Sequence, residues 1–170
     1  MAWGASGSAA WRAAARPAAA AALGALLLAA SGSAQAATAF AGLAGSWSGS
    51  GHIRLENGRR EAIRCSASYV PRSGGTALGL SLRCASPSGR VELRANLHSR
   101  GNRVFGSWEE RSYNVAGDVS GLATGNNLRL HFGGSLSGAM VVTTSGDAQS
   151  ISVRTDASAL QGVNVSLRRN

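Results

Sequence analysis

From Gly45 to the end of the chain, apolar and polar residues alternate in short runs separated by Gly, Asn, Asp and Ser. Alternation with a period of two, punctuated by turn formers, predicts antiparallel strands joined as hairpins. Ten segments carry the pattern: 46–55, 60–70, 77–85, 90–99, 103–112, 115–124, 127–133, 138–145, 149–155 and 162–168. No helical periodicity interrupts them.

Side-chain facing tests the turns, because a slip of one residue sends a whole strand's side chains to the other face. With Gly101-Asn102 as a two-residue turn, Arg94 faces Glu109, Glu92 faces Arg111 and His98 faces Phe105. Each opposite-charge pair is worth about 0.2–1 kcal/mol. The other face then sets Leu93, Ala95 and Leu97 against Val104, Gly106, Trp108 and Glu110. Gly125-Asn126 brings Ala123, Gly121 and Val119 beside Leu128, Leu130 and Phe132, and Gly146-Asp147 pairs Val142 with Ile151 and Met140 with Val153. A three-residue turn at Glu56-Asn57-Gly58, with Gly58 left-handed, keeps Trp47 and Ile53 on the apolar face.

Every strand thus has one apolar face, and an open sheet of this size would leave two unpaired edges. Closure removes the edges and gives the apolar faces an inside. The predicted fold is all-β, a single antiparallel up-and-down β-barrel of about 8–10 strands. A two-sheet sandwich satisfies the same pattern; short successive turns favour the barrel.

Cys65 and Cys84 are the only cysteines. With Ser73-Gly74-Gly75-Thr76 as the turn between their strands, closed by Arg72 and Ala77, Cys65 faces Cys84 at a non-hydrogen-bonded position. Pro71 then lacks no ladder donor, and the Cα atoms approach to about 4.5 Å, within disulfide range. Such a bond closes a loop of about 20 residues, worth about 3 kcal/mol.

The N-terminus reads differently. Arg12 and Arg16 precede an unbroken apolar run from Ala18 to Ala30, and Ala34-Gln35-Ala36 offers small residues for cleavage. This predicts a helical secretory signal peptide over 1–36, a flexible mature N-terminus over 37–44 and the barrel domain over 45–170. The run of about 13 residues is too short for a membrane span of about 20. The expected location is periplasmic or secreted, where a disulfide is stable, and the mature form is expected to have no membrane span.

Charge adds one asymmetry. There is no Lys; without Arg12 and Arg16, 15 Arg stand against 8 Asp and Glu, a net charge of about +7. An Arg-rich outer face suits an anionic component of the cell envelope. It lacks the exposed aromatics of a single-strand nucleic-acid platform, so nucleic acid is not an expected partner.

The inward positions carry little chemistry. They are apolar almost throughout, with Trp47, Tyr69, Trp108, Phe132 and Met140 among the candidate ligand-lining residues. Glu110 is the inward exception, placed near a strand end where it could orient a ligand at the barrel mouth. No nucleophile–base pair, paired carboxylates or metal-ligand cluster is legible, so no catalytic residue, metal site or cofactor is expected, and the chain is read as not an enzyme. Two functions remain open. One is a cell-envelope protein that binds a small hydrophobic or amphipathic ligand inside the barrel. The other is an integrity factor or hydrolase inhibitor with a filled barrel, acting through its Arg-rich surface.

Gly45-Ser46-Trp47 resembles the Gly-x-Trp opening of the lipocalins and their calycin relatives. The longer string Gly45-x-Trp47-x-Gly49-x-Gly51 is similar to the opening of nitrobindin-like and fatty-acid-binding-protein-like barrels, which have ten strands. The resemblance implies a closed barrel for small apolar ligands. It also implies a Trp beneath the barrel floor, covered by an Arg from a late strand; Arg168 or Arg169 is placed to do this. Nitrobindin-like proteins bind haem through a His near the C-terminus. Here no His follows His131, and His52, His98 and His131 face outward, so haem is not expected.

Overall fold

A computed structural model of the chain describes residues 38–156 and 159–170. The expected signal peptide lies outside the described residues. Ten strands form: β1 (Gly45–Leu55), β2 (Arg60–Arg72), β3 (Ala77–Ser86), β4 (Gly89–Arg100), β5 (Arg103–Glu110), β6 (Val115–Thr124), β7 (Asn127–Gly134), β8 (Gly138–Ser145), β9 (Ala148–Thr155) and β10 (Leu160–Arg169). Each pairs antiparallel with its neighbours in sequence, and β1 pairs with β10, closing the barrel. This settles the choice between barrel and sandwich.

The register follows from the turns. Arg100 opposes Arg103 around Gly101-Asn102, Thr124 opposes Asn127 around Gly125-Asn126, and Ser145 opposes Ala148 around Gly146-Asp147. Gly58, Gly101, Gly125 and Gly146 all take positive φ, the conformation these turns require. Cys65 opposes Cys84 and the two are disulfide-bonded, with Cα atoms 4.1 Å apart.

Two expectations change. Arg94 does oppose Glu109 in register, but its guanidinium turns along its own strand to Glu92, 3.8 Å away. Glu92 gathers Arg83 and Arg111 as well, at 3.4 and 4.0 Å. The expected Glu92–Arg111 pair is therefore present, while Arg94 leaves Glu109 to share the same Glu92 carboxylate with Arg83 and Arg111. The segment ahead of the barrel, expected to be flexible, is instead packed. Ala41–Leu43 form a short 3₁₀ turn, and Phe40 and Leu43 are buried in the core. Their apolar side chains sit beneath Trp47, where burial holds the backbone in place.

Gly49 and Gly51 show how β1 meets β10. A Cβ on Gly49 would strike the Ser166 carbonyl and lie 2.9 Å from the Leu167 Cα; one on Gly51 would strike the Asn164 carbonyl and lie 2.7 Å from the Val165 Cα. Glycine there admits the neighbouring backbone, a barrel-corner device.

Candidate functional site

The two ends of the barrel are built differently. One end holds the β2–β3, β4–β5, β6–β7 and β8–β9 turns and the packed N-terminal segment. Its floor is Trp47, whose indole N–H donates to the Leu43 carbonyl at 2.9 Å. Arg169, from the last strand, lies over the ring with its guanidinium carbon 4.2 Å from the centroid. The same guanidinium donates to the carbonyls of Gly42 and Ala44 and pairs with Asp147 at 3.0 Å. Arg169 therefore fastens the N-terminal segment, the floor Trp and the β8–β9 turn together. Cation–π and ionic contacts of this kind are worth about 0.5–1 kcal/mol each at partly exposed sites.

Above the floor, Tyr69 on β2 reaches across the interior to β9. Its hydroxyl donates to Gln149 Oε1 at 2.8 Å, and Gln149 Nε2 donates to the Thr144 hydroxyl at 3.2 Å. Burial raises the Tyr69 pKa, partly opposed by the Gln149 bond. Trp47 meets Tyr69 edge to face, with ring centroids 6.4 Å apart. This end is filled: a side chain from β2 hydrogen-bonds a side chain of β9, inside the intervening β1 and β10. Gln149 and Thr144 were not among the sequence-derived candidates. Their inward parity with Ile151 and Val142 is the signal that points to them.

The other end holds the β1–β2, β3–β4, β5–β6, β7–β8 and β9–β10 connections, and among the described residues no helix covers it. Here the inward side chains are apolar but only half-buried: Leu55, Leu82, Leu93, Phe132, Met140, Val153 and Val163. Trp108 leans into this half. Its ring packs edge-on against Phe132, centroids 5.8 Å apart, and its N–H donates to the Gly133 carbonyl at 3.2 Å. Gly117 lies between them, and a Cβ there would come within 2.9 Å of the indole nitrogen. The missing side chain at Gly117 is what lets Trp108 span from β5 to β7.

Two carboxylates are buried near this rim. Glu110 receives backbone N–H bonds from Glu92 and Tyr113 at 2.7 Å and from Ser112 at 3.1 Å. Burial pushes its pKa up, but these amides, with the Ser112 hydroxyl, outweigh that and hold it below the usual carboxylate range. Sequence reading put Glu110 at the mouth as a group to orient a ligand; both of its oxygens are engaged by its own chain, ending β5 and shaping the loop to β6. Glu61, which parity alone could have revealed, is the second. It accepts from the Ser88 amide at 3.1 Å and pairs with Arg59 at 3.1 Å. Its pKa is lowered by hydrogen bonds from Ser88 above all, with Ser86 and the Arg59 charge adding to them against the cost of burial.

Of the six candidate lining residues, then, Trp108, Phe132 and Met140 share the half-buried end. Trp47 and Tyr69 form the filled end, and Glu110 serves the rim. There are two clefts of about 470 Å³ each, the first of which reaches the buried side chains of Leu43, Leu128 and Thr144. One runs between the N-terminal segment and the β6–β7 and β8–β9 turns, by Gly42, Asn126 and Asp147. The other is on the outer face around Ser107, between Arg94 and Asp118. Among the described residues, no group of three or more His, Cys, Asp or Glu could hold a metal ion, and no helix is long and apolar enough to cross a membrane.

No family model and no curated protein matches the sequence. Solved structures do match the fold. Rv2717c from M. tuberculosis superposes with a TM-score of 0.63 at 18% identity, over 76% of this chain and 94% of that one. The S-type phycobiliprotein lyase CPES from Guillardia theta superposes with a TM-score of 0.52 at 10% identity, over 76% of this chain and 89% of that one. The chain is a closed ten-stranded antiparallel barrel, and at these identities the likeness is one of fold. The lyase corrects the expectation that the chain is not an enzyme. A barrel of the same fold carries the name of an enzyme, so the missing nucleophile–base pair does not exclude catalysis. A site that only holds a reactant in the right geometry already lowers a barrier.

Proposed function

We propose that the barrel receives a small hydrophobic or amphipathic ligand through its uncovered end, against Leu82, Leu93, Trp108, Phe132 and Met140. The observation that carries this reading is the half-buried apolar lining of that end, where the opposite end is crossed by the Tyr69–Gln149–Thr144 hydrogen bonds. Burying such surface against a ligand is worth about 25 cal/mol per Å² before the costs of binding. The match in fold to a phycobiliprotein lyase supports ligand handling by this architecture. Whether the bound molecule is also transformed is part of the same question, since the site's work would be positioning.

The Cys65–Cys84 bond supports an oxidising compartment. With the N-terminal charge, apolar run and small-residue exit, it favours export to the cell envelope. The Gly45-x-Trp47 opening, with Arg169 over the ring, supports kinship with the calycins. The test is mass spectrometry of organic extracts from protein purified out of its native compartment. A co-purifying lipid or isoprenoid-like molecule is expected. It should be absent from Met140→Trp and Leu93→Trp variants, whose larger side chains fill the uncovered end. Recovery of the same molecule from wild type and both variants would contradict the site.

A further inference from the structure

The outside of the barrel divides by charge. Among the described residues, the outward-facing carboxylates on strands are Glu92 on β4, Glu109 on β5 and Asp118 on β6. The opposite side, formed by β9, β10, β1 and β2, has none. Its register lays outward residues in rows, and the row nearest the uncovered end is Arg154, Gly162, Arg54 and Arg60. Arg54 and Arg60 oppose each other directly. Like charges so placed destabilise a sheet, and no ion pair among the described residues offsets them. Glu56 and Asp156, on the loops at that end, pair with neither. Arg64 stands below the row on β2. Between this row and Val70, Arg72 and Arg168 at the other end, the face is mostly short and polar: Ser50, Ser66, Ser150, Ser152 and Ser166, with Asn164 and His52, and it has no Phe, Tyr or Trp.

We propose that this face docks the protein on an anionic phospholipid surface, with Arg54, Arg60, Arg64 and Arg154 holding lipid phosphates. The guanidinium fork matches phosphate oxygens, and the serine hydroxyls add short-reach donors. Single-stranded nucleic acid would call for stacking aromatics, which this face lacks. The Arg row sits at the uncovered end, so docking would bring the barrel mouth beside the lipid. The proposal does not depend on a ligand inside.

The test is co-sedimentation of the full chain with vesicles of phosphatidylglycerol and phosphatidylcholine, against vesicles of phosphatidylcholine alone. Binding to the anionic vesicles is expected, weakening as salt rises. R54S/R60S/R154S should lower the partition about a hundredfold, at about fivefold per arginine. R94S/R100S/R103S removes the same charge from the other side and should keep most of the binding. Residues 1–36 are common to every variant, so their contribution cancels in the ratios. Equal losses in the two triple variants would overturn the proposal, as would equal binding to neutral vesicles. Tighter binding of single-stranded DNA, lost in the first triple variant, would also overturn it. Should that variant fail to fold, Arg154→Ser and Arg64→Ser are each expected to lose about fivefold, and no loss in either contradicts the assignment.

Discussion

At the filled end of the barrel, Phe40 and Trp47 are 0% exposed and Leu167 1%, and the polar groups among them all find partners. At the uncovered end, Leu82, Leu93, Phe132 and Met140 stay half-buried with no polar group of their own to satisfy. Both ends are built from inward positions of the same ten strands. What separates them is the cover. Arg169 and the residues ahead of β1 close one end, whereas the rim carboxylates Glu61 and Glu110 spend their oxygens on nearby backbone amides and Arg59, and the apolar side chains of that end stay partly exposed. Residues that look alike in sequence therefore serve stability at one end and remain available to a ligand at the other.

The comparison is broken most easily by truncating each end in turn. Trp47→Ala removes a fully buried indole, its hydrogen bond to Leu43 and the surface under Arg169, and should cost about 3–5 kcal/mol in a urea melt. Opening the Cys65–Cys84 bond with reductant should cost about 3 kcal/mol, seen as a lower urea midpoint that Cys65→Ser/Cys84→Ser reproduces without reductant.

Glu110→Ala leaves three backbone N–H groups near the rim without their acceptor and should cost about 1–3 kcal/mol. Its pH dependence has a definite sign. The folded carboxyl has a pKa below its ordinary value, so its contribution is complete above the ordinary carboxylate range and is lost as pH falls through the lowered folded value. Urea midpoints measured downward from neutral pH should therefore fall less steeply for Glu110→Gln than for wild type. A steeper fall would mean that burial, and not the amides, governs the group. Met140→Ala, at the uncovered end, should cost least, about 1 kcal/mol, since that side chain is only partly buried. A cost equal to that of Trp47→Ala would erase the distinction between the ends.

Most of the barrel was legible in the sequence because four of its turns, at Gly58, Gly101, Gly125 and Gly146, are two- and three-residue hairpins with glycine at the strained position. Once Gly101, Gly125 and Gly146 are placed, the register of six strands follows, and the Cys pair with Pro71 fixes another. Closure followed from the edges that an open sheet would leave. The cover was not legible. Phe40 and Leu43 lie in a stretch with no periodicity, so nothing local says that they pack. The role of Glu110 could be placed but not read: parity sends it inward, while its partners are amides from Glu92 and from the loop that follows, which carry no side-chain signature. Of the two charge pairs, Glu92–Arg111 forms and Arg94–Glu109 does not, for a similar reason. Register brings Arg94 opposite Glu109, but a long side chain can choose Glu92 along its own strand instead.

The most direct measurement uses the two tryptophans that the barrel itself supplies. In a Trp3→Phe/Trp11→Phe background, with Trp47 or Trp108 further replaced by Phe, one indole reports on each end. Titration with a bromine-labelled fatty acid, which quenches emission on contact, should quench Trp108 saturably and leave Trp47 bright. Equal quenching of the two, or quenching of neither, would contradict a ligand site at the uncovered end.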